Sequence, residues 1–474
     1  MHLHDLSCPV SCAVRNSDRL LKGAAMEDQQ AFFEENTQAQ ALEAFIVDVN
    51  GVLRGKKIPR ENCGKLFKSG LRMPFSAYAL DIFGEDVLSA GLVAETGDGD
   101  GICQPANDTL RMVPWQDGTA QVLLSMYDEN GKGFFADPRH VLQNVLNLYA
   151  KKGWKPVVAA ELEFYLLDSK PDEKGRPQPP VNPRTGKRSA DSHLFSLSEM
   201  QDFSAVLDEI PHACALQGIP ADTAISENGP GQYEINLFHV PDALAAADHA
   251  VLMKRAIRGV ARKHGMDATF MAKPFAGLSG NGLHVHFSIL DKSGMNIFTG
   301  RDKKGSPLLR HAIGGVLKSM EDCTAIFAPN FNSYRRFAPG SHAPTTVSWG
   351  YDNRSAAIRV PDSDRDATRI EHRVAGADAN PYLLLAAMLA GAYDGMVGKK
   401  DPGKPFTGNV YKSNARHLPR EWGAALDRFE KSAFVAKYFG KRYQKVYAAC
   451  KRQELEIMQG QVSSIEYDAY MRDI

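Results

Sequence analysis

A chain of 474 residues has room for two or three domains, and 43% hydrophobic with 24% charged residues is ordinary for a soluble globular protein. Lys plus Arg and Asp plus Glu both number 56, so net charge gives no mark of nucleic acid or of an anionic membrane as partner. Seven cysteines, scattered at 8, 12, 63, 103, 214, 323 and 450, fit a reduced cytoplasmic protein better than a disulfide framework.

Residues 1–25 lack a secretory apolar core and read as a disordered extension, with Met26 as a possible true start. His2, His4, Cys8 and Cys12 are too loosely spaced to favour a metal site. From residue 41 the pattern is strand-like: Ala41 to Lys57 reads as two strands around a turn at Asn50-Gly51. Thr109–Trp115 and Thr119–Met126 read as further strands, so residues 26–135 form a small β-rich domain and residues 136–474 a second one.

Asp137-Pro138 opens a helix, with an N-cap aspartate before a proline at the first helical position. The apolar run from Pro156 to Leu167 then reads as a buried strand carrying Glu161 and Glu163 on one face. Two carboxylates on such a strand are costly unless something cationic holds them. Taken alone, the pair could equally mark a strand end in solvent or a pair held by arginines. Residues 168–192 carry Pro, Lys, Arg, Asp and Gly without periodicity and read as one long exposed loop.

Glu227-Asn-Gly-Pro-Gly-Gln-Tyr-Glu234 brings two more carboxylates together across a Gly-Pro-Gly turn, although such a turn is often merely solvated. Gly280 and Gly282 allow close backbone approach to a ligand, just before His284 and His286, which share a strand face. The histidines read either as a metal or phosphate site or as a hydrogen-bonded core pair. Arg369, Glu371 and Arg373 alternate along another strand, as an ion-pair ladder or as a site wall. The run from Tyr382 to Tyr393 is too short to span a bilayer and reads as a buried helix.

Five carboxylates, Glu161, Glu163, Glu227, Glu234 and Glu371, with His284 beside them, cannot share one site without divalent cations. Oxygen-rich ligation favours Mg²⁺ or Mn²⁺ over zinc. Arg336, Arg354, Arg359, Arg369 and Arg373 supply positive charge for phosphates and a substrate carboxylate. Hard metals beside arginines suit phosphoryl transfer from a nucleoside triphosphate, and no Walker A or kinase motif set is present.

In this order, from about residue 40 to about residue 460, these elements resemble the glutamine synthetase family, most specifically at Lys273–Ser288 and Asn353–Arg373. The resemblance implies an α+β fold: a β-grasp-like N-terminal domain, and a catalytic domain built on a half-open antiparallel β-barrel with flanking helices. It also implies a homododecamer of two hexameric rings, with sites between neighbouring subunits. By position, Glu163, Glu227 and Glu234 would bind a first metal ion, and Glu161, His284 and Glu371 a second. Arg336 and Arg373, with Gly280 and Arg359, would hold glutamate; Arg354, Arg359 and Arg369 would meet ATP and its phosphates, with His286 and Ser288 flanking the nucleotide. Arg354 and His342 would be the catalytic side chains.

The departures bear on the nucleophile. The family's Asn-Gly-Ser-Gly-Met-His becomes Ser279-Gly-Asn-Gly-Leu-His284, and Pro-Gly-x-Glu-Ala-Pro becomes Pro339-Gly-Ser-His342-Ala-Pro344. The Phe-Asp-Gly-Ser-Ser region corresponds to Met73–Tyr78, which has no aspartate. Carboxylates that cradle ammonium are thus absent while the metal, ATP and glutamate residues persist. This resembles the γ-glutamylpolyamine synthetases and implies glutamate, ATP and a primary amine such as putrescine as substrates. Glutamine synthetase using ammonia and a non-catalytic scaffold are the alternatives. Tyr411 lies near an adenylylated tyrosine of some members, but its flanks differ, so no such control is expected.

Overall fold

Asp48 shapes the first turn: its Oδ1 accepts from the Asn50 and Val52 amides at 2.8 and 2.9 Å. Gly51, at φ +78°, takes the left-handed position that only glycine adopts without strain. The turn joins β1 (Ala41–Val47) to β2 (Leu53–Pro59). The computed structural model describes residues 29–474 apart from 96, 107, 189, 339, 340, 342 and 473. The 1–25 extension, Met26 and His342 therefore lie outside the described residues.

The described residues divide into two compact units, the first containing 29–46, 53–74 and 100–134. Its strands are β1, β2, β3 (Leu71–Pro74), β4 (Asp100–Pro105), β5 (Arg111–Met112) and β6 (Thr119–Tyr127), with α1 (Cys63–Ser69) between β2 and β3. The sheet runs β2-β1-β6-β4-β3, with β5 on β6. β6 is buried along all but its last residue, as expected for a central strand parallel to β1 and antiparallel to β4. The strand expected over Thr109–Trp115 is only Arg111–Met112; Thr109 turns back on the Ala106 carbonyl, and Pro114 has no amide to donate.

The second unit holds 47–52, 75–99 and 135–474. Asp137 caps α2 (Pro138–Lys152), accepting from the Arg139 amide at 2.8 Å, with Pro138 in the first turn. There follow β7 (Lys155–Asp168), β8 (Ala221–Ser226), β9 (Gln232–Leu237), α3 (Ala243–Lys263), β10 (Met266–Thr269), β11 (Leu283–Leu290) and α4 (Pro307–Ser319). β12 (Trp349–Tyr351), β13 (Ile358–Val360), β14 (Ile370–His372), α5 (Pro381–Gly398) and α6 (Lys441–Gln459) complete the frame. The sheet order is β12-β13-β14-β11-β7-β9-β8, with β10 on β7, and its named pairs are antiparallel except β12 with β13.

The architecture is α+β, as expected. α5 is apolar all round and buried as far as Ala392, and it packs on α4 backbone to backbone. A Cβ on Gly315 would fall 2.0 Å from the Gly391 carbonyl, so no larger residue fits that crossing. No helix among the described residues is long and apolar enough to cross a membrane. The 168–192 segment is irregular apart from an isolated bridge between Val181 and Arg188, and its three arginines pair with Asp172, Asp202 and Asp168.

Candidate active site

The register of five strands lays the candidate residues out in rows. Glu163 on β7 stands opposite Glu234 on β9. Glu161 stands between Asn236 on β9 and His284 on β11. His286 on β11 faces Glu371 on β14, which faces Arg359 on β13. Side chains directly opposite on one face lie about 5 Å apart, so these rows make a single polar patch within an apolar sheet.

Among the described residues, three groups of side chains each bring candidate ligand atoms within 4.8 Å of one another. They are Glu163 with Glu227 and Glu234, Glu161 with Glu234 and His284, and Glu161 with His286 and Glu371. The first coincides with the set expected for one metal ion. At the other end Glu161 is shared, His284 groups with Glu234, and His286 groups with Glu371.

His286 has a fixed role toward Glu161. Arg369 Nε can only donate, and it reaches His286 Nδ1 at 3.2 Å, so Nε2 carries the proton and donates to Glu161 Oε1 at 2.8 Å. His284 Nδ1 lies 3.3 Å from the other Glu161 oxygen. Burial raises the Glu161 carboxyl, but hydrogen bonds from His284 and His286 outweigh it and hold the group well below the usual range. Glu371 is buried and its burial too is outweighed, by Arg373 first and then by the histidines and Arg359. Arg359 Nη1 reaches Glu371 at 2.8 Å and Arg373 pairs with its other oxygen.

The opposite end lacks such compensation. Burial, then the charge of Glu163, pushes Glu234 up to about 9 and Glu227 up to about 7. Glu163 itself accepts the Gly282 amide at 2.7 Å. Half-buried or buried carboxylates this close hold protons unless cations enter, so the donor set fits hard divalent ions.

The arginines form the adjoining wall. Arg336 is buried, donates to the Val374 carbonyl at 2.8 Å, and lies against Gly280 and Gly282. A Cβ on Gly280 would meet the Ala272 carbonyl at 2.4 Å and Arg336 Cγ at 3.0 Å, so the glycine is what lets the arginine lie there. Arg354 and Arg359 line a cleft of about 660 Å³ with Tyr351, Asn353 and Tyr411. Arg354 is exposed, and its carbonyl accepts from Arg373 Nε at 3.3 Å. Arg369, Glu371 and Arg373 do share a side, although β14 itself is only the three residues Ile370–His372. Ser288 is half-buried on the same β11 face as the two histidines.

Residues not singled out from the sequence also belong here. Gln232, two before Glu234 and so on its face, donates to the Gly280 carbonyl and to Asn281 Oδ1, both at 3.1 Å. Asp352 holds Arg359 from the solvent side at 2.6 Å. The His239 ring packs edge-on to His286 at 6.2 Å. Gln232 could have been found by its period-two spacing from Glu234; Asp352 and His239 carry no such local signal. Tyr411 is half-buried and its hydroxyl donates to the Ala343 carbonyl at 2.9 Å. His342 lies outside the described residues, so its placement relative to this wall is not part of the geometry.

Comparison with known proteins adds four findings. Residues 135–470 match the family model described as glutamine synthetase, catalytic domain. The chain is 40% identical over 443 residues to gamma-glutamylputrescine synthetase PuuA of Escherichia coli (strain K12), covering 93% of this chain and 94% of the relative. It is 34% identical over 449 residues to glutamate–isopropylamine ligase of a Pseudomonas species, covering 93% and 96%. Among solved structures, the GmaS/ADP complex superposes with a TM-score of 0.81 at 27% identity, over 93% of this chain and 98% of that one.

Proposed function

The chain belongs to the glutamine synthetase family, and from that premise we propose that it joins the γ-carboxylate of glutamate to a polyamine, putrescine or a longer one, driven by ATP. At the coarser level it is a carbon–nitrogen ligase of this family, forming γ-glutamyl amides from glutamate and ATP. In the proposed reaction a γ-carboxylate oxygen attacks the terminal phosphorus of ATP and ADP departs. The amine nitrogen then attacks the acyl carbon of γ-glutamyl phosphate, phosphate leaves, and the nitrogen gives up a proton.

Arg336 and Arg373, with Gly280 and Arg359 beside them, hold glutamate in this scheme. Arg354, Arg359 and Arg369 hold the phosphates, and His286 and Ser288 flank the nucleotide. Glu163, Glu227 and Glu234 would hold one Mg²⁺ or Mn²⁺, and Glu161, His284 and Glu371 another. When bound, such ions neutralise charge that builds on the transferring phosphoryl group. Assembly as two stacked hexameric rings and a cytoplasmic role in polyamine breakdown complete the proposal.

One observation carries the choice of amine: the metal-cluster carboxylates are all present, while positions expected to cradle ammonium hold His342 and the aspartate-free stretch Met73–Tyr78. The two relatives named above carry putrescine and isopropylamine in their names, which supports an amine as the acceptor. An alkylammonium with a pKa of roughly 10.4 costs about 4.6 kcal/mol to neutralise at pH 7, so the site must take up a proton. An imidazole of ordinary pKa near 6.5 at His342 could accept it, or could simply shape the amine channel.

Phosphate release with glutamate, ATP and a panel of amines tests this. We expect kcat/KM for putrescine or a longer polyamine well above that for ammonia, and His342→Glu to move the preference part-way towards ammonia. Faster glutamine formation from millimolar ammonia than coupling to any amine would refute the proposal.

A further inference from the structure

The short turn that presents Arg336 is held from behind by polar side chains that no step above uses. Phe331–Arg336 is a 3-10 turn, and Arg336 is its last residue. Ser333 is buried within it; its Oγ accepts from the Asn330 amide at 3.0 Å and donates to Asp378 Oδ2 at 2.5 Å. Asn330 Nδ2 donates to the same carboxylate oxygen at 2.8 Å. Asp378 stands between Arg373, at the end of β14, and Asn380, the N-cap of α5. One carboxylate therefore ties the turn carrying Arg336 to the segment carrying Arg373.

The anchor is itself braced. Lys451 on α6 is fully buried, pairs with Glu454 at 2.9 Å, and reaches Asn330 Oδ1 at 3.3 Å. Asn332 exchanges two hydrogen bonds with the Lys273 backbone, at 2.8 and 2.9 Å, which fixes the turn from its other side. The Arg336 side chain rests against Gly280, where any added Cβ would crowd it.

We propose that Asp378 is a positioning residue for the acid substrate: by gripping Asn330 and Ser333 it sets where Arg336 stands relative to Arg373, and so the spacing of the two guanidiniums that receive glutamate's carboxylates. This rests on the reading of Arg336 as a glutamate contact. A charge-assisted hydrogen bond is roughly twice as strong as a neutral one. Asp378→Asn keeps the shape and an acceptor but loses the charge; Asp378→Ala loses both; Ser333→Ala removes one of the two donors.

The test is steady-state kinetics of the full assembly with glutamate and ATP varied in turn, alongside thermal melting. For Asp378→Ala the KM for glutamate should rise about ten- to hundredfold, with kcat and the KM for ATP changed less than about threefold. Asp378→Asn should recover most of the loss, and Ser333→Ala should show a smaller rise of the same kind. Arg336→Lys serves as the reference. If it raises the KM for glutamate while Asp378→Asn, Asp378→Ala and Ser333→Ala do not, positioning by Asp378 is wrong and the role of Arg336 stands. If Arg336→Lys leaves that KM unchanged, the role of Arg336 falls and this inference with it. Lower melting temperatures with unchanged KM values, or equal rises for ATP and glutamate, would make Asp378 merely structural.

Discussion

Glu371 and Glu234 sit on one face of the same sheet, both buried, yet the first is held ionised and the second is pushed up to about 9. Burial opposes charge in both. Glu371 has Arg359 and Arg373 in direct contact, whereas the neighbours of Glu234 are Glu163, Glu161 and Glu227, with Arg373 too weak to offset them. The protein supplies its own cations at one end of the cluster and not at the other. The end around Glu163, Glu227 and Glu234 is therefore where entering divalent ions gain most.

Removing single carboxyls should act in opposite directions at the two ends. In chelator, Glu371→Gln leaves two arginines without their shared carboxylate and should destabilise the fold by about 3 kcal/mol. Glu234→Gln removes a carboxyl that must take up a proton to be buried there, and should leave the chelated protein as stable as the parent or more so. Thermal melting of both variants in chelator gives the answer, and equal destabilisation would erase the distinction between the ends.

The same asymmetry should appear in pH. Glu227 and Glu234 move from 4.5 to about 7 and about 9, so between pH 4.5 and about 9 the folded chelated protein binds more protons than the unfolded chain. Their contribution to stability must then fall as pH rises through that window. Glu161 and Glu371 are shifted the other way, so their contribution is present above 4.5 and lost only as pH falls below it. Melting temperatures in chelator at pH 6 and pH 8.5 should show the decline, and saturating Mg²⁺ should reduce or reverse it. A flat profile in chelator would contradict the charge balance described.

Much of this was legible in the sequence where a local rule governs. The Glu161–Glu163 pair and His284–His286 follow from period-two strands, and Asp137-Pro138 marked its helix start. The Arg369–Arg373 alternation was also visible, although only three residues between them pair as strand. What a sequence cannot carry is register. That Glu163 faces Glu234, or that His286 sits between Arg369 and Glu161, depends on strands distant in the chain. The same holds for Asp378, whose partners Asn330 and Ser333 lie far upstream, and for the grouping of 47–52 and 75–99 with the second unit. Each is a product of packing and leaves no local mark.

The most direct test of the central claim counts metal ions. Mn²⁺ binding to the assembled protein, followed by electron paramagnetic resonance, should saturate at about two ions per chain. Glu234→Gln should lose at least one of them, and Glu371→Gln should keep the ion held by Glu163, Glu227 and Glu234. If the parent protein binds no Mn²⁺, or if Glu234→Gln binds as many ions as tightly as the parent, the carboxylate cluster is not the metal site described here.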